Sequence, residues 1–354
     1  MQSITFTANA AQELRHTLDS ISYDRLFILC DENTERQCLP YIQRPEYQPS
    51  ILNSLFSIIK ISAGDKNKNI DSLSHVWQAL QQAGATRHSL IINLGGGMVT
   101  DLGGFAAATF KRGIRFINLP TTLLAMVDAS VGGKTGINFN GLKNEIGAFC
   151  EAQQVIIDTH FLLTLDSENI LAGYAEMIKH ALISNTNDWA ELLNFNINQP
   201  DLTALSAILQ RNIQVKERIV EQDPHENGLR KALNLGHTIG HAFESLAMEQ
   251  SRAVPHGYAV AWGIVCELYL SCVKLGFPTD KMRQTVNFIR HHYGQFQVTC
   301  DNYPRMLQLM THDKKNTGTD INFTLLADIG DIRLNQNATH DEICEALDFY
   351  RETI

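Results

Sequence analysis

No two of the seven cysteines (Cys30, Cys38, Cys150, Cys266, Cys272, Cys300 and Cys344) form a close Cys-x-x-Cys pair, and their number is odd. Such a scattered set argues against a disulfide framework and for a reducing compartment, so a cytoplasmic location is expected. Positive charge is also scarce: 29 Lys and Arg stand against 38 Asp and Glu, a formal net charge of -9. A general nucleic-acid or anionic-membrane surface is thereby disfavoured, although a few residues suffice for a basic pocket around a phosphorylated metabolite. The opening MQSITFTANAAQELR has no basic region followed by an apolar core, so no signal peptide is expected. Only GYAVAWGIVCELYLSCVKLGF approaches a membrane span. Glu267 interrupts it, and the uncharged run before that residue falls well short of about 18 residues. It reads as a buried helix of a soluble protein.

The 354 residues exceed the size at which one hydrophobic core usually keeps growing, so two domains are expected. The first 160 residues alternate β-rich apolar runs with helical patterns. RLFILC (25–30), LFSIIKIS (55–62), SLIINL (89–94), IRFINL (114–119) and QVIID (154–158) read as strands. DSLSHVWQALQQAG and TDLGGFAAATFKRG read as helices between them, a pattern that predicts a mostly parallel sheet covered on both faces. From residue 161 onward long helical patterns dominate, RKALNLGHTIGHAFESLAME among them. INFTLLADIG is the one extended-looking stretch, which suggests a small hairpin-like insertion. The predicted division is 1–160 and 161–354.

Gly95, Gly96 and Gly97 fall at the end of a predicted strand and before a helix, where backbone can approach pyrophosphate and helix N–H groups attract its charge. The pattern is not G-x-G-x-x-G, and no acidic residue follows about 20 positions on, so a plain tight turn is the competing reading. Gly132-Gly133-Lys134-Thr135 invites a P-loop, but Asp128 stands where that loop needs a glycine. What remains is Lys134 on a glycine-rich turn, with Lys143, Asn144 and Arg112, a set suited to an anion or a polar cofactor face.

NLGHTIGHAFE places His237 and His241 one helical turn apart on one face. Glu176 lies in the apolar helical pattern LAGYAEMIKHALI beside Lys179 and His180, and His256 begins the next helical segment. One glutamate and two histidines would make a three-ligand zinc site with a position open for water or substrate oxygen. HTIGH lacks the glutamate of H-E-x-x-H, so it is not a zincin hydrolase motif. Spacing does not decide which two histidines would serve, and each alone reads equally well as a hydrogen-bonded core residue. Lys216, Arg230, Lys314 and Lys315 suggest a substrate with several negative charges, or else a charged face turned to solvent.

Taken together, GGGMVTDLGGFAAATFKRGIRFINLPTTLLAMVDASVGGKTGIN, GLKNEIGAF, AGYAEMIKH, NLGHTIGHAFE, PHGYAVA and MTHDKKN resemble the 3-dehydroquinate synthase family over nearly the whole chain. The resemblance implies an α/β, Rossmann-like, NAD-binding domain followed by a mainly α-helical metal-binding domain, with the active site in the cleft. It implies NAD and a divalent metal, zinc or cobalt in its place, and a sugar phosphate substrate, 3-deoxy-D-arabino-heptulosonate 7-phosphate. Nucleic acid and membrane are not implied partners. The metal ligands would be Glu176, His237 and His256, with His241 left as a substrate contact near phosphate. Asp128, Lys134, Asn144, Lys179, Lys216, Arg230 and Asn234, with Lys314 or Lys315, would also meet substrate. Arg112 would reach across a homodimer. Cofactor residues would be Asp31, Asn33, Asp65, Lys68, Gly96, Gly97, Met98, Val99, Thr100, Asp101, Thr121, Thr122, Lys134, Lys143, Phe161, Leu162, Leu163 and Thr164. The chain departs from the family pattern at Asp65, where glutamate is common, and at Tyr258, where glutamate often follows His-Gly. The implied cycle oxidises C5 with NAD, eliminates phosphate, returns the hydride, opens the ring and closes the carbocycle by an intramolecular aldol step. The rival readings are a cyclase for another sugar phosphate, a metal-dependent polyol dehydrogenase, and a nucleotide-binding regulatory protein.

Overall fold

The computed structural model describes residues 2–43, 56–140, 142–311 and 321–352. The chain divides into two compact units, Met1–Asp166 with Asp201–Ile213, and Ser167–Pro200 with Gln214–Ile354.

The first unit is built on a six-stranded parallel sheet. Its strands are β1 (Ser3–Phe6), β2 (Leu26–Asp31), β3 (Phe56–Ile61), β4 (Leu90–Gly95), β5 (Arg115–Pro120) and β8 (Gln154–Ile157), in the order β1-β8-β5-β4-β2-β3. Every residue of β2 and β4 is buried, which is why both read as unbroken apolar runs rather than as alternating ones. The helices of this unit are α1 (Ala10–Ser20), α2 (Glu32–Gln37), α3 (Leu39–Ile42), α4 (Ile70–Gln82) and α5 (Gly97–Thr109). Strand order reverses between β2 and β4, so the crevice at their carboxyl ends is where an open α/β sheet offers room for a ligand.

Residues 134–149, read from sequence as glycine-rich loops, instead form an antiparallel hairpin of β6 (Lys134–Phe139) and β7 (Leu142–Phe149). Gly136 and Gly147 face each other across it, and a Cβ on either would overlap the opposite backbone. These two glycines therefore serve strand pairing.

The second unit contains α6 (Ser167–Leu182), α7 (Thr186–Asn194), the C-terminal half of α8 (Leu202–Gln222), α9 (His237–Glu249), α10 (His256–Leu275), α11 (Thr279–Tyr293), α12 (Tyr303–Thr311) and α13 (His340–Glu352). A hairpin of β9 (Asn322–Asp328) and β10 (Asp331–Asn337) joins them. The predicted continuous helix over 230–249 is broken. Leu229–Asn234 is a 3₁₀ turn, and Gly236, at φ 78, separates it from α9. The apolar periodicity runs through this break, so only the left-handed glycine marks it. Among the described residues α10 is the one helix long and apolar enough to cross a membrane, and it packs as a core helix against α6, α9, α11, α13 and β9.

Candidate active site

In the α/β unit, the carboxyl ends of the strands deliver their loops to one edge of the sheet. Asp31, the last residue of β2, caps α2: its Oδ1 accepts from the amides of Asn33 (2.9 Å) and Thr34 (2.8 Å). Gly95 ends β4, and Gly96 leads into α5, so the first amides of α5 lie at the strand end, where Gly96 and Gly97 carry no side chains of their own. A Cβ at Gly96 would press on Thr122, and one at Gly97 on Ala129. This close-fitting backbone is the kind of cradle a pyrophosphate requires.

The turn after β3 carries Asp65 and Lys68. Lys68 is buried, and its Nζ donates to Asp101 Oδ2 (3.0 Å) on α5 and to Asn144 Oδ1 (2.5 Å) on β7. Asn144, at φ 50, also donates its amide to Asn138 Oδ1 (3.0 Å), and Lys143 Nζ lies 3.3 Å from Asp65. Burial works to raise the Asp65 pKa, but the Lys143 and Lys68 ammoniums outweigh it and hold the carboxyl below its ordinary value. Five predicted residues thus form one connected network. A second feature is a cavity of about 260 Å³ lined by Gln37 of α2, Pro40 and Tyr41 of α3, and His160, Phe161, Leu163 and Thr164 of the 3₁₀ segment after β8. Tyr41 stacks on His160 with centroids 4.6 Å apart, a flat wall suited to a planar ring. Neither residue was singled out from sequence, because a lone Tyr and a lone His carry no local signal.

Asp128 lies in the turn Ala125–Ala129, and Lys134 begins β6 after Gly132 and Gly133, both at positive φ. Arg112 is not part of the Lys68 network. It lies with Thr86, Arg87, His88 and Lys111 around an open basic cup, and Lys111 and Arg112 are both left-handed (φ 51 and 68). Two consecutive non-glycine residues in that region are strained, as functional loops often are.

The helical unit gathers the ionisable groups. Helix α10 meets α6 at Gly257, where a Cβ would overlap the Ala172 carbonyl, and meets the start of α9 at Gly263, where a Cβ would overlap the Gly236 carbonyl. Those two close approaches bring Glu176, His237 and His256, from three different helices, into one cluster. Glu176 Oε1 lies 3.5 Å from His237 Nε2 and 3.4 Å from His256 Nε2. The opposite nitrogens are held by the protein. His237 Nδ1 faces the Leu235 carbonyl at 3.1 Å, and His256 Nδ1 faces Glu244 Oε2 at 3.3 Å. Both rings therefore direct Nε2 at the same carboxylate, the arrangement by which metal-binding histidines are oriented.

Ligand atoms of His237, His241 and His256 all lie within 4.8 Å of one another. Lys179 Nζ is 2.5 Å from Glu176 Oε2. Burial opposes ionisation of Glu176, yet Lys179 and then His237 hold its pKa well below the ordinary value. Burial drives His237 down to about 4. For His256 burial also pulls downward, but the Glu244 and Glu176 carboxylates prevail and push it up to about 9. A set of one buried carboxylate and partly buried imidazoles, with no thiolate, fits a borderline divalent ion such as zinc or cobalt.

Of the remaining predicted residues, Lys216 on α8 and Arg230 are buried. Arg230 and Asn234 share one turn organised by two acids absent from the sequence expectations. Asp223 accepts from the amides of Asn227, Gly228 and Arg230, and Glu226 Oε1 accepts from Asn234 Nδ2 at 3.1 Å. Glu244 was likewise unforeseen in its role, although it ends the histidine motif. Lys314 and Lys315 lie outside the described residues.

Residues 58–172 match the family described as 3-dehydroquinate synthase N-terminal, and residues 173–316 match 3-dehydroquinate synthase C-terminal. A 3-dehydroquinate synthase of Parabacteroides distasonis is 53% identical over 353 residues, covering 99% of this chain and 98% of its own. That of Pyrococcus furiosus is 40% identical over 260 residues, 73% of this chain and 74% of its own. Among solved structures, a 2-epi-5-epi-valiolone synthase from Streptomyces hygroscopicus subsp. jinggangensis, with NAD+ and Zn2+ bound, has the same fold. Its TM-score is 0.87 at 24% identity, over 100% of this chain and 98% of that one. A 2-deoxy-scyllo-inosose synthase complexed with carbaglucose-6-phosphate, NAD+ and Co2+ also shares the fold. It gives a TM-score of 0.83 at 21% identity, over 99% and 96% of the two chains.

Proposed function

This chain belongs to the 3-dehydroquinate synthase family, and from that premise we propose that it converts 3-deoxy-D-arabino-heptulosonate 7-phosphate to 3-dehydroquinate and phosphate in the cytoplasm, using NAD and a divalent ion. The ion is zinc in this reading, with cobalt able to replace it. When bound, NAD supplies reversible oxidation at C5 and the ion supplies Lewis acidity toward the vicinal oxygens. The ion would be held by Glu176, His237 and His256, and the observation that carries the reading is their geometry: two imidazoles, each fixed through Nδ1, aim Nε2 at one buried carboxylate.

The chain's own residues then bind and orient. The amides following Gly96 hold the pyrophosphate, while Asp65, Lys68, Asp101 and Lys143 form a polar wall for the ribose and nicotinamide side, and the Tyr41–His160 cavity takes the adenine. Lys134, His241 and Arg112, the last from a homodimer partner, hold the substrate phosphate, which itself takes the proton during its elimination. Arg230 pairs with the carboxylate, and Asp128, Asn144, Lys179, Lys216 and Asn234, with Lys314 or Lys315, fix hydroxyls. Positioning of this kind is what the redox, elimination and aldol steps share.

The test supplies purified protein with catalytic NAD, zinc and a panel of sugar phosphates. The expected result is a carbocyclic product and one released phosphate from the heptulosonate, with no accumulation of NADH. Stoichiometric NADH without phosphate release would indicate a polyol dehydrogenase. Turnover of glucose 6-phosphate or sedoheptulose 7-phosphate instead would assign another cyclase.

A further inference from the structure

Helix α9 begins in an unusual way. Its N-cap is Gly236, which has no side chain to offer, and its third residue is Ile239, which is apolar. Neither half of an ordinary capping box is present, since that device needs a polar N-cap side chain for the third amide and a polar third side chain for the N-cap amide. Gly236 cannot be exchanged for a capping residue in place. It is left-handed at φ 78, and a Cβ there would overlap Ile264 and crowd the Val260 carbonyl. The first turn of α9 nevertheless carries His237 as its first residue, with His241 one turn on.

Both missing partners come from one side chain on another helix. Glu267, on α10 and wholly buried, accepts from the Gly236 amide through Oε2 at 2.6 Å and from the Ile239 amide through Oε1 at 3.2 Å. Glu267 thus makes, from a distance of 31 residues, the two hydrogen bonds of a capping box. It also places a carboxylate at the positive end of the helix dipole. The same helix, α10, begins with His256. The amides that Glu267 grips belong to the residue before His237 and the one two beyond it. One carboxylate therefore fixes where α9 starts relative to the helix that supplies the other imidazole.

We infer that Glu267 is a positioning residue for the metal centre: it sets the spacing between His237 and His256 by capping α9 from α10. The inference rests on the metal reading above. In E267Q the side chain keeps its size, but its NH2 group faces one of the two amides in place of an acceptor. The cap is half lost and its charge removed.

The experiment uses the full chain with NAD present. Zinc affinity is measured by chelator competition, alongside circular dichroism of the metal-free protein, NAD affinity, and the visible spectrum of the cobalt form. The expected result is a zinc affinity weakened by about tenfold to a hundredfold, the range for residues that orient metal ligands, with an altered cobalt spectrum, wild-type dichroism and wild-type NAD affinity. A merely structural role would lower the melting temperature and leave the metal affinity of the folded protein unchanged. Folded E267Q with zinc affinity within about twofold of wild type, well below the loss expected for a ligand-orienting group, overturns the inference. If E267Q does not fold, E267D, which keeps the charge and withdraws it by one methylene, carries the same thresholds. Wild-type protein that binds no zinc would instead overturn the metal reading itself.

Discussion

At the strand ends of the α/β unit, the candidate site is made of backbone amides and polar tips, and among the described residues there Lys68 is the one buried cation. In the helical unit it is made largely of buried ionisable side chains: Glu176 is wholly buried, Lys179 is 1% exposed and Arg230 2%. Charges taken out of water must be matched by partners, so in the helical unit the groups proposed to bind ligand also hold the protein together. In the α/β unit the two tasks separate, because the sheet core is largely apolar and uncharged and the proposed ligand groups hang from its edge. The difference teaches where binding and stability can be altered independently.

The most severe challenge to that contrast is Glu176→Leu. It removes the carboxylate beside buried Lys179 and both imidazoles, and is expected to abolish zinc binding and turnover and to destabilise the metal-free protein by about 3–5 kcal/mol in urea melts. Lys68→Met makes the opposite case. It should weaken NAD binding by about 1.5–3 kcal/mol, the usual range for hydrogen bonds to a charged group, in a fluorescence titration. Zinc affinity should stay at the wild-type value, and a parallel loss of zinc would erase the distinction between the units. Gly257→Ala tests packing alone: prying α10 from α6 should cost about 1–3 kcal/mol of stability and weaken zinc, read in one calorimetric series with and without metal.

The smallest effect near neutrality concerns pH in the metal-stripped protein. His256 is raised from 6.5 to about 9 on folding, so its contribution is complete below pH 6.5 and fades as pH rises through 9. His237 is lowered from 6.5 to about 4, so its contribution is complete above pH 6.5 and fades as pH falls through 4. Together these two rings place the highest melting temperature near pH 6.5. A melting temperature that climbs steadily from pH 6.5 to 9 would show that His256 does not keep its proton.

The parallel sheet was legible because β2, β4 and β5 are nearly unbroken apolar runs, each ending at a turn residue or glycine. The β6–β7 hairpin was not. Its glycines imitate a phosphate loop, and only cross-strand register reveals that Gly136 faces Gly147. In the metal cluster, spacing drew attention to His237 and His241, which share a helix. The approach of Glu176, some sixty residues earlier, depends on close helix contacts at Gly257 and Gly263 that no local pattern announces. Glu267 was visible as a charge interrupting an apolar helix, and the sequence offered no hint of the amides it faces. Glu244 is another such case: the residue stands inside the motif, but its tie to His256 depends on how α9 lies against α10.

The touching backbones at Gly257 and Gly263 leave no room for a side chain where α10 crosses α6 and the start of α9. Anyone seeking to retune its preference among divalent ions does best to exchange donor atoms on these supports, because respacing the helices lowers stability along with affinity. Redesign on this scaffold is therefore first a problem of chemistry at the tips of the side chains, since any change of helix spacing weakens the fold as well.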